Sequence, residues 1–204
     1  MAVDDQFAVV SWQEANLVKK AVPDRRVLVM RGPISPAEME AILVDGMDWV
    51  IHSLYQTELL EQAFKANSPD VTDRLKHSGA RVWLKINTGM NRLGMPVEDA
   101  SQALSLLKAL PVQLPLGLMS HLATADDPSE ALTNQQFMAF EQAGSDLTLP
   151  DRTLKPLAAS AGILSWPQLH HDMVRPGIML YGATPMLGRV GPDDGLRLWG
   201  NVYG

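Results

Sequence analysis

The sequence predicts an α/β protein built on a parallel sheet, more specifically an incomplete (β/α)₈ barrel of the TIM type. Short apolar segments alternate with amphipathic helical segments about every 25 to 35 residues, which is typical of parallel βα units. Polar residues follow the apolar segments, as they do at the functional face of a barrel. The residues in these positions are Arg31, His52, Lys85, His121, Ser160 and Arg175.

The first half of the chain carries four predicted strands, each followed by a helix. The strands are expected at 6–11, 27–30, 49–52 and 81–86, and the helices at 12–20, 36–44, 54–65 and 97–107. Ser11, Ser35 and Ser53 precede the first three helices, and serine is a favourable residue at a helix N-terminus. We therefore expect all three serines to act as N-caps.

The second half continues the same alternation. Strands are predicted at 116–121 and 155–160, a helix at 134–143, a short helix after Gly162, and a seventh unit from Met173. A closed barrel of this type needs eight strands, and about seven can be counted. The chain begins almost directly on a strand, so we expect the first βα unit to be the one that is missing. A doubly wound sheet fits the same alternation, but the polar strand ends favour the barrel.

Composition excludes several functional classes. The 204 residues carry a net charge of −6 without long charged runs, which argues against nucleic-acid and anionic-membrane partners. The absence of cysteine excludes disulfides and thiolate metal sites. His170, His171 and Asp172 form a small cluster, but no further ligand lies at a suitable spacing, so no metal site is predicted.

The stretch Val82–Gly94 has the clearest functional pattern. Lys85 lies near the end of an apolar strand, where a charged group needs a partner or loses its charge. A turn ending at Gly89 follows, and then Arg92. Together a lysine, a glycine turn and an arginine are suited to an anionic pocket. An ordinary loop with an exposed arginine explains the same residues.

Three further strand ends are candidate site positions. Ser160 lies in an Ala-Ser-Ala-Gly segment before a helix, where small residues allow a phosphate to approach, although a plain N-cap also fits. Arg175 precedes Pro-Gly, so it is held rigidly while Gly177 frees backbone amides for a phosphate. His121 ends an apolar strand and is equally consistent with a buried core histidine.

Taken together, these motifs resemble the bacterial alanine racemases, which are fold-type III pyridoxal 5′-phosphate (PLP) enzymes. The matching segments occur in the family's order and are Leu84–Gly94, Ser120–Asp126, Ala159–Leu164 and Val174–Gly182. The resemblance extends over about Gln6 to Gly188. It implies that 1–188 form a partial PLP-binding barrel domain and that 189–204 are a divergent tail where a C-terminal β-domain would start.

The resemblance also implies roles for individual residues. Arg175 would hydrogen-bond the pyridine nitrogen of PLP, and Ser160 would hold the phosphate with the backbone amides of Gly177 and Ile178. Arg92 would contact the phenolic oxygen of PLP and the carboxylate of the substrate.

Supporting roles follow in the same way. Lys85 corresponds to a lysine that is carbamylated in many family members, and the resulting anion would orient Arg92. His121 would orient the network around Arg175. Asn87 replaces the aspartate that is usual in the family.

Two catalytic groups of the family have no counterpart in this sequence. The Schiff-base lysine belongs to an N-terminal motif close to Lys-Ala-Asn-Ala-Tyr-Gly, and the second base is a tyrosine of the C-terminal domain. Racemisation removes a proton from one face and returns one to the other, so it needs two bases. We therefore expect a chain truncated at both ends, with no catalytic residue of its own and little or no activity.

The implied parent activity is the PLP-dependent interconversion of L- and D-alanine for peptidoglycan synthesis, in a cytoplasmic homodimer. Two alternatives remain open at this stage. The chain could be a non-catalytic PLP-binding or phosphate-binding regulatory remnant, or a fragment of a racemase with broader amino-acid specificity.

Overall fold

Five parallel strands form one sheet in the computed structural model, which describes residues 6–197, without the side chains of 67–69. The strands are β1 (Phe7–Val9), β2 (Val27–Val29), β3 (Asp48–Ile51), β4 (Val82–Lys85) and β5 (Leu116–Met119). Their order in the sheet is β1-β2-β3-β4-β5, and Phe7 pairs with Val27. This order follows the sequence without reversing, as in a barrel, whereas a doubly wound sheet reverses its order at a switch point. The observed sheet therefore supports the predicted incomplete barrel.

Helices follow each of the five strands. They are α1 (Trp12–Ala21), α2 (Pro36–Val44), α3 (Leu54–Ser78), α4 (Val97–Ala109) and α5 (Ala131–Asp146), with α6 (Ser160–Ser165) further on. Short 3₁₀ helices occupy Pro167–Leu169, Ile178–Tyr181 and Gly191–Asp194. The predicted end of α3 at residue 65 was wrong, because buried Val71 and Leu75 continue its apolar face to a left-handed cap at Gly79.

Two of the three predicted serine caps form. Ser11 Oγ accepts a hydrogen bond from Glu14 N, and the Glu14 carboxylate accepts one from Ser11 N at 3.0 Å. The two bonds together form a capping box. Ser35 Oγ accepts from Glu38 N at 3.2 Å. Ser53 occupies the N-cap position of α3 but makes no capping bond with its side chain, so that part of the prediction was wrong.

The predicted sixth and seventh strands do not form ladders within residues 6–197. They are reduced to an isolated parallel bridge between Ala159 and Arg175, and Leu118 N donates to Leu154 O at 2.9 Å. Pro156 and Pro176 lie in these segments, and proline has no N–H to continue a ladder. A single bridge therefore replaces an extended strand pair.

The chain divides into two compact units, and the first contains most of the regular structure. Among its described residues are those up to Ile86, Leu93–Gly117 and Pro150–Thr153. Its core includes Trp49 and Trp83, which are almost fully buried. Gly117 allows a close approach, since a Cβ on it would lie 2.2 Å from Cε3 of Trp83.

The second unit comprises Asn87–Arg92, Leu118–Leu149 and the chain from Leu154 onwards. Its core includes the fully buried Phe140, Leu157 and Leu169, and the indole N–H of Trp166 donates to Ala125 O at 2.9 Å. None of the described helices combines the length and the hydrophobicity that a membrane-spanning helix requires. The domain boundary at 188 stays a prediction, and residues 198–204 of the expected tail lie outside the described residues.

Candidate functional site

Arg175 is held by three backbone contacts within the second unit. Its Nη2 donates to Ser120 O at 2.6 Å and to Leu157 O at 3.0 Å, and its backbone N donates to Ala158 O. Burial of the guanidinium lowers the Arg175 pKa to about 10, so the group remains a cation at neutral pH. We call Arg175 with the carbonyls of Ser120 and Leu157 the arginine clamp.

The Nε donor of the clamp is unused. Nε of Arg175 is buried and makes no hydrogen bond within residues 6–197. Buried polar groups normally have a partner, and an unmade hydrogen bond there is costly. The clamp therefore offers one oriented N–H to a further acceptor.

Ser160 and Gly177 are brought together as a second element of the site. Ser160 Oγ accepts from Gly177 N at 2.9 Å and from Met179 N at 3.4 Å. Ser160 is the first residue of α6 and Ala159 holds the N-cap position, so the plain N-cap alternative for Ser160 was wrong. Ile178 begins a 3₁₀ helix, where N–H groups have no partner within the helix.

Residues 87–92, which we call the Arg92 loop, form a compact turn. Asn87 Oδ1 accepts from Gly89 N and from Asn91 N, both at 3.1 Å, while Asn87 Nδ2 donates to Asn91 Oδ1 at 2.8 Å. An aspartate at position 87 could not make that last donation. Asn91 has a φ of 58°, and Arg92 is exposed. The local network thus gives the asparagine at position 87 a structural role of its own.

Lys85 belongs to the first unit, at the end of β4. It is 4% exposed, and its carbonyl accepts from Met95 N at 3.0 Å. His52 donates from Nε2 to Arg31 O at 3.0 Å. Burial lowers the pKa of His52, and the Lys85 charge lowers it further. The structure therefore places Lys85 where its charge acts on His52.

The predicted site residues fall into different parts of the structure. Six lie in the second unit, namely Arg92, His121, Ser160, Arg175, Gly177 and Ile178, and Lys85 lies in the first. The structure joins Ser160 to Gly177 and joins Arg175 to the carbonyl of Ser120, the residue before His121. His121 is half-buried. The proposed ligand contacts of these residues stay predictions.

Sequence reasoning missed Gln136, which is fully buried in α5. Its Oε1 accepts from Ala123 N at 2.8 Å, and its Nε2 donates to His121 O at 3.0 Å. The spacing of Gln136 from Thr133, Phe140 and Ala143 is helical, which places it on the buried face of α5. A polar residue on such an apolar face needs internal partners.

The His-His-Asp segment makes local packing contacts. His171 lies 3.6 Å from a Glu141 carboxylate oxygen and packs its ring against Phe137 and Phe140. Among the side chains of the described residues, no group of three or more could hold a metal ion. The contacts of His171 therefore attach this segment to α5.

A parallel sheet in sequence order, with helices between its strands and polar side chains after them, defines a protein of the βα-barrel class. The family model for the alanine racemase N-terminal domain matches residues 2–185. The chain belongs to the alanine racemase family.

Relatives and solved structures agree with this assignment. The chain is 35% identical to an alanine racemase of Shewanella woodyi over 194 residues, which are 95% of this chain and 50% of that protein. It is similar to a biosynthetic alanine racemase from Pseudomonas aeruginosa, with a TM-score of 0.81 and 34% identity over 95% of this chain and 50% of the other.

An alanine racemase from Bartonella henselae with covalently bound pyridoxal phosphate has the same fold, with a TM-score of 0.70 at 23% identity. That match covers 88% of this chain and 47% of the other. This chain thus spans about half the length of the curated relatives that it matches.

Proposed function

We propose that this chain is the cofactor-binding barrel portion of a PLP-dependent alanine racemase that interconverts L- and D-alanine for peptidoglycan synthesis. The observation that supports the proposal most strongly is the unused, enclosed N–H of Arg175 beside two occupied donor contacts. We further propose a cytoplasmic location and a homodimer, for which light scattering is the test, since a monodisperse monomer would argue against the dimer.

The clamp fits the pyridine nitrogen of PLP. An unprotonated pyridine nitrogen is an acceptor, and Arg175 Nε is a donor that has no partner in the described residues. Because Arg175 has a pKa of about 10, it keeps its own proton at neutral pH. An arginine in this position therefore keeps the pyridine nitrogen unprotonated and restrains the electron demand of the ring.

Ser160 fits the phosphate group. Its oxygen accepts from two backbone amides, which leaves its hydroxyl proton to donate to an anion. Ile178 adds a backbone N–H nearby, as expected at a helix start beside a phosphate. The Gly177 N–H is directed at Ser160 Oγ, so a bound phosphate would have to share it. The proposal thus assigns the two ends of the cofactor to Ser160 and Arg175.

When it is bound, PLP would supply the electron sink that makes the α-proton of an amino acid removable. We assign to Arg92 the contact with the substrate carboxylate, since a guanidinium pairs well with that group. We further propose that Lys85 is carbamylated, which would replace its positive charge by a negative one at the end of β4. The proposal assigns no proton-transferring base to this chain, so we expect little racemisation from the chain alone.

A PLP titration followed by absorbance tests the proposal. We expect the full chain to bind PLP with a free-aldehyde spectrum, without the visible band of a covalent lysine adduct. Arg175→Lys removes the Nε–H donor while keeping the charge, and should weaken PLP binding by about 100-fold, as expected for losing charged hydrogen bonds in a buried site. Arg152→Lys, at an exposed position, is the matched control.

Wild-type affinity in Arg175→Lys would overturn the assignment of the clamp. A sensitive coupled assay for D-alanine provides a second check, in which we expect no formation above background. D-alanine formation that is abolished by Arg175→Ala would refute the expected inactivity of the isolated chain.

A further inference from the structure

Gln136 occupies a position where an apolar side chain would be expected. Its neighbours on the same face of α5, such as Thr133 and Phe140, are fully buried, and Gln136 itself is 0% exposed. Burying a primary amide is unfavourable unless its donors and acceptor are satisfied. The hydrogen-bond partners of the Gln136 amide therefore indicate which segments of the chain it holds in place.

The amide bonds to two separate segments of the second unit. It contacts the chain after β5 twice, through Ala123 N and His121 O. Its Nε2 also lies 3.4 Å from Thr88 Oγ1 in the Arg92 loop. The stem of Gln136 packs at the same place, because a Cβ on Gly89 would lie 3.5 Å from its Cγ. One side chain thus fixes the Arg92 loop against the chain that follows β5.

A second link runs from the Arg92 loop to the arginine clamp. Thr88 Oγ1 and Ser120 Oγ lie 2.8 Å apart, and Ser120 is 1% exposed. The carbonyl of the same Ser120 accepts from Arg175 Nη2. The hydrogen bonds therefore connect Gln136, Thr88, Ser120 and Arg175 in that order. Connected hydrogen bonds of this kind restrict the arrangement of the groups that make them.

We propose that Gln136 is a positioning residue that holds the Arg92 loop and the arginine clamp in one fixed arrangement. Its amide bonds to protein groups, and it acts through Thr88 and the chain after β5. The naming of PLP as the ligand rests on the proposed function, but the coupling between the loop and the clamp does not.

The test uses the full chain, with hydrogen exchange and PLP affinity as separate readouts. Gln136→Met keeps the length and apolar stem but removes the amide. We expect exchange at 87–92 and 120–123 to become about tenfold faster and PLP to bind about tenfold more weakly, the loss expected for an unmade buried hydrogen bond. Gln142→Met, which removes an exposed glutamine of the same helix that bonds to Asp146, should change neither readout.

Rescue by a conservative variant separates positioning from general stability. Gln136→Glu has the same shape, and its protonated carboxyl supplies one donor where the carboxylate supplies none. Exchange at 87–92 relative to wild type should therefore slow on acidification in this variant and not in Gln136→Met. A relative rate that does not change with pH would overturn the proposal.

If Gln136→Met does not fold, Thr88→Val tests the same coupling between the Arg92 loop and the arginine clamp. It replaces the hydroxyl that links the loop to Gln136 and Ser120 by a methyl group. Faster exchange confined to 87–92 and 120–123 would support the proposal, and unchanged exchange would overturn it. If wild-type chain binds no PLP, the proposed function fails, and the exchange experiment still determines whether Gln136 couples the two segments.

Discussion

The two units of this chain differ in how their backbones are fixed. In the first unit, parallel ladders join β1 to β4, and capped helices lie between the strands. In the second unit, an isolated bridge at Ala159 and Arg175 stands where a strand pair was expected, and side chains such as Gln136 and Ser160 bond to backbone groups. Six of the seven predicted site residues lie in this second unit.

This difference suggests a division between scaffold and site. Repeated backbone hydrogen bonds tolerate the loss of one side chain, whereas a segment fixed by a few buried polar contacts depends on each of them. Substitutions in the first unit should therefore act on stability mainly through packing and sterics. Substitutions in the second should act on ligand affinity through single hydrogen bonds.

The largest stability effect is expected at Gly117 in the first unit. In Gly117→Ala the new Cβ would lie 2.2 Å from the Trp83 ring, so packing must shift, and we expect a loss of about 3 kcal/mol in the free energy of unfolding. Gly79→Ala is the control, because nothing lies within 4 Å of its Cβ and only its φ of +59° opposes the change. Urea unfolding should show the Gly79 variant losing about 1 kcal/mol. Equal losses would contradict the steric argument.

A smaller change in stability with a clear effect on affinity is expected at Ser160 in the second unit. Ser160→Ala removes the acceptor of Gly177 N and Met179 N, and should cost about 1 kcal/mol of unfolding free energy. PLP affinity should fall about tenfold as well, because the hydroxyl donor is lost. The control is Ser165→Ala at the other end of α6, where the hydroxyl donates to Met186 Sδ at 3.4 Å. If Ser160→Ala changes stability alone, the serine is structural.

Two serines at helix starts in the first unit differ in whether their side chains make a capping bond. Ser35→Ala removes a capping bond to Glu38 N and should destabilise the fold by about 1 kcal/mol. Ser53→Ala at the start of α3 should have almost no effect, since Ser53 makes no capping bond. Thermal unfolding of both variants provides the measurement, and a larger loss at Ser53 would contradict the assigned caps.

The smallest effect concerns acidification. His52 has a pKa lowered chiefly by burial, so the unfolded chain binds its proton more readily than the folded chain does. The stability contribution of neutral His52 is therefore complete above the unfolded pKa of about 6.5 and is lost as the pH falls towards the folded-state pKa. Unfolding free energies measured across this range should fall more steeply in wild type than in His52→Gln. If the free energy of unfolding falls equally with pH in both proteins, the titration of His52 does not cause the loss of stability.

Much of the scaffold could be predicted from the sequence because its signals are local. The strands around Val27, Trp49 and Val82 are short apolar segments, and the serine N-caps have recognisable partners three residues later. The predictions were wrong at the end of α3, where the apolar face continues through Val71 and Leu75. They were also wrong at the sixth and seventh strands, where Pro156 and Pro176 interrupt a ladder.

The motif positions Arg175 and Ser160 could be located from sequence, but their partners could not. The carbonyls of Ser120 and Leu157 lie far from Arg175 in the chain. Every residue has a backbone carbonyl, so the residue type does not show which carbonyls bind the arginine. The helical spacing of Gln136 indicates that it is buried, but it does not show that the amide bonds to Ala123 N and His121 O.

The tryptophans give each unit its own intrinsic optical reporter. Trp12, Trp49 and Trp83 belong to the first unit, and Trp166, with its indole bonded to Ala125 O, belongs to the second. Replacing the first three by phenylalanine, together with Trp199 beyond the described residues, would leave Trp166 as a single emitter. Because the chain also has no cysteine, one thiol could be introduced and labelled as an energy-transfer acceptor without background reaction.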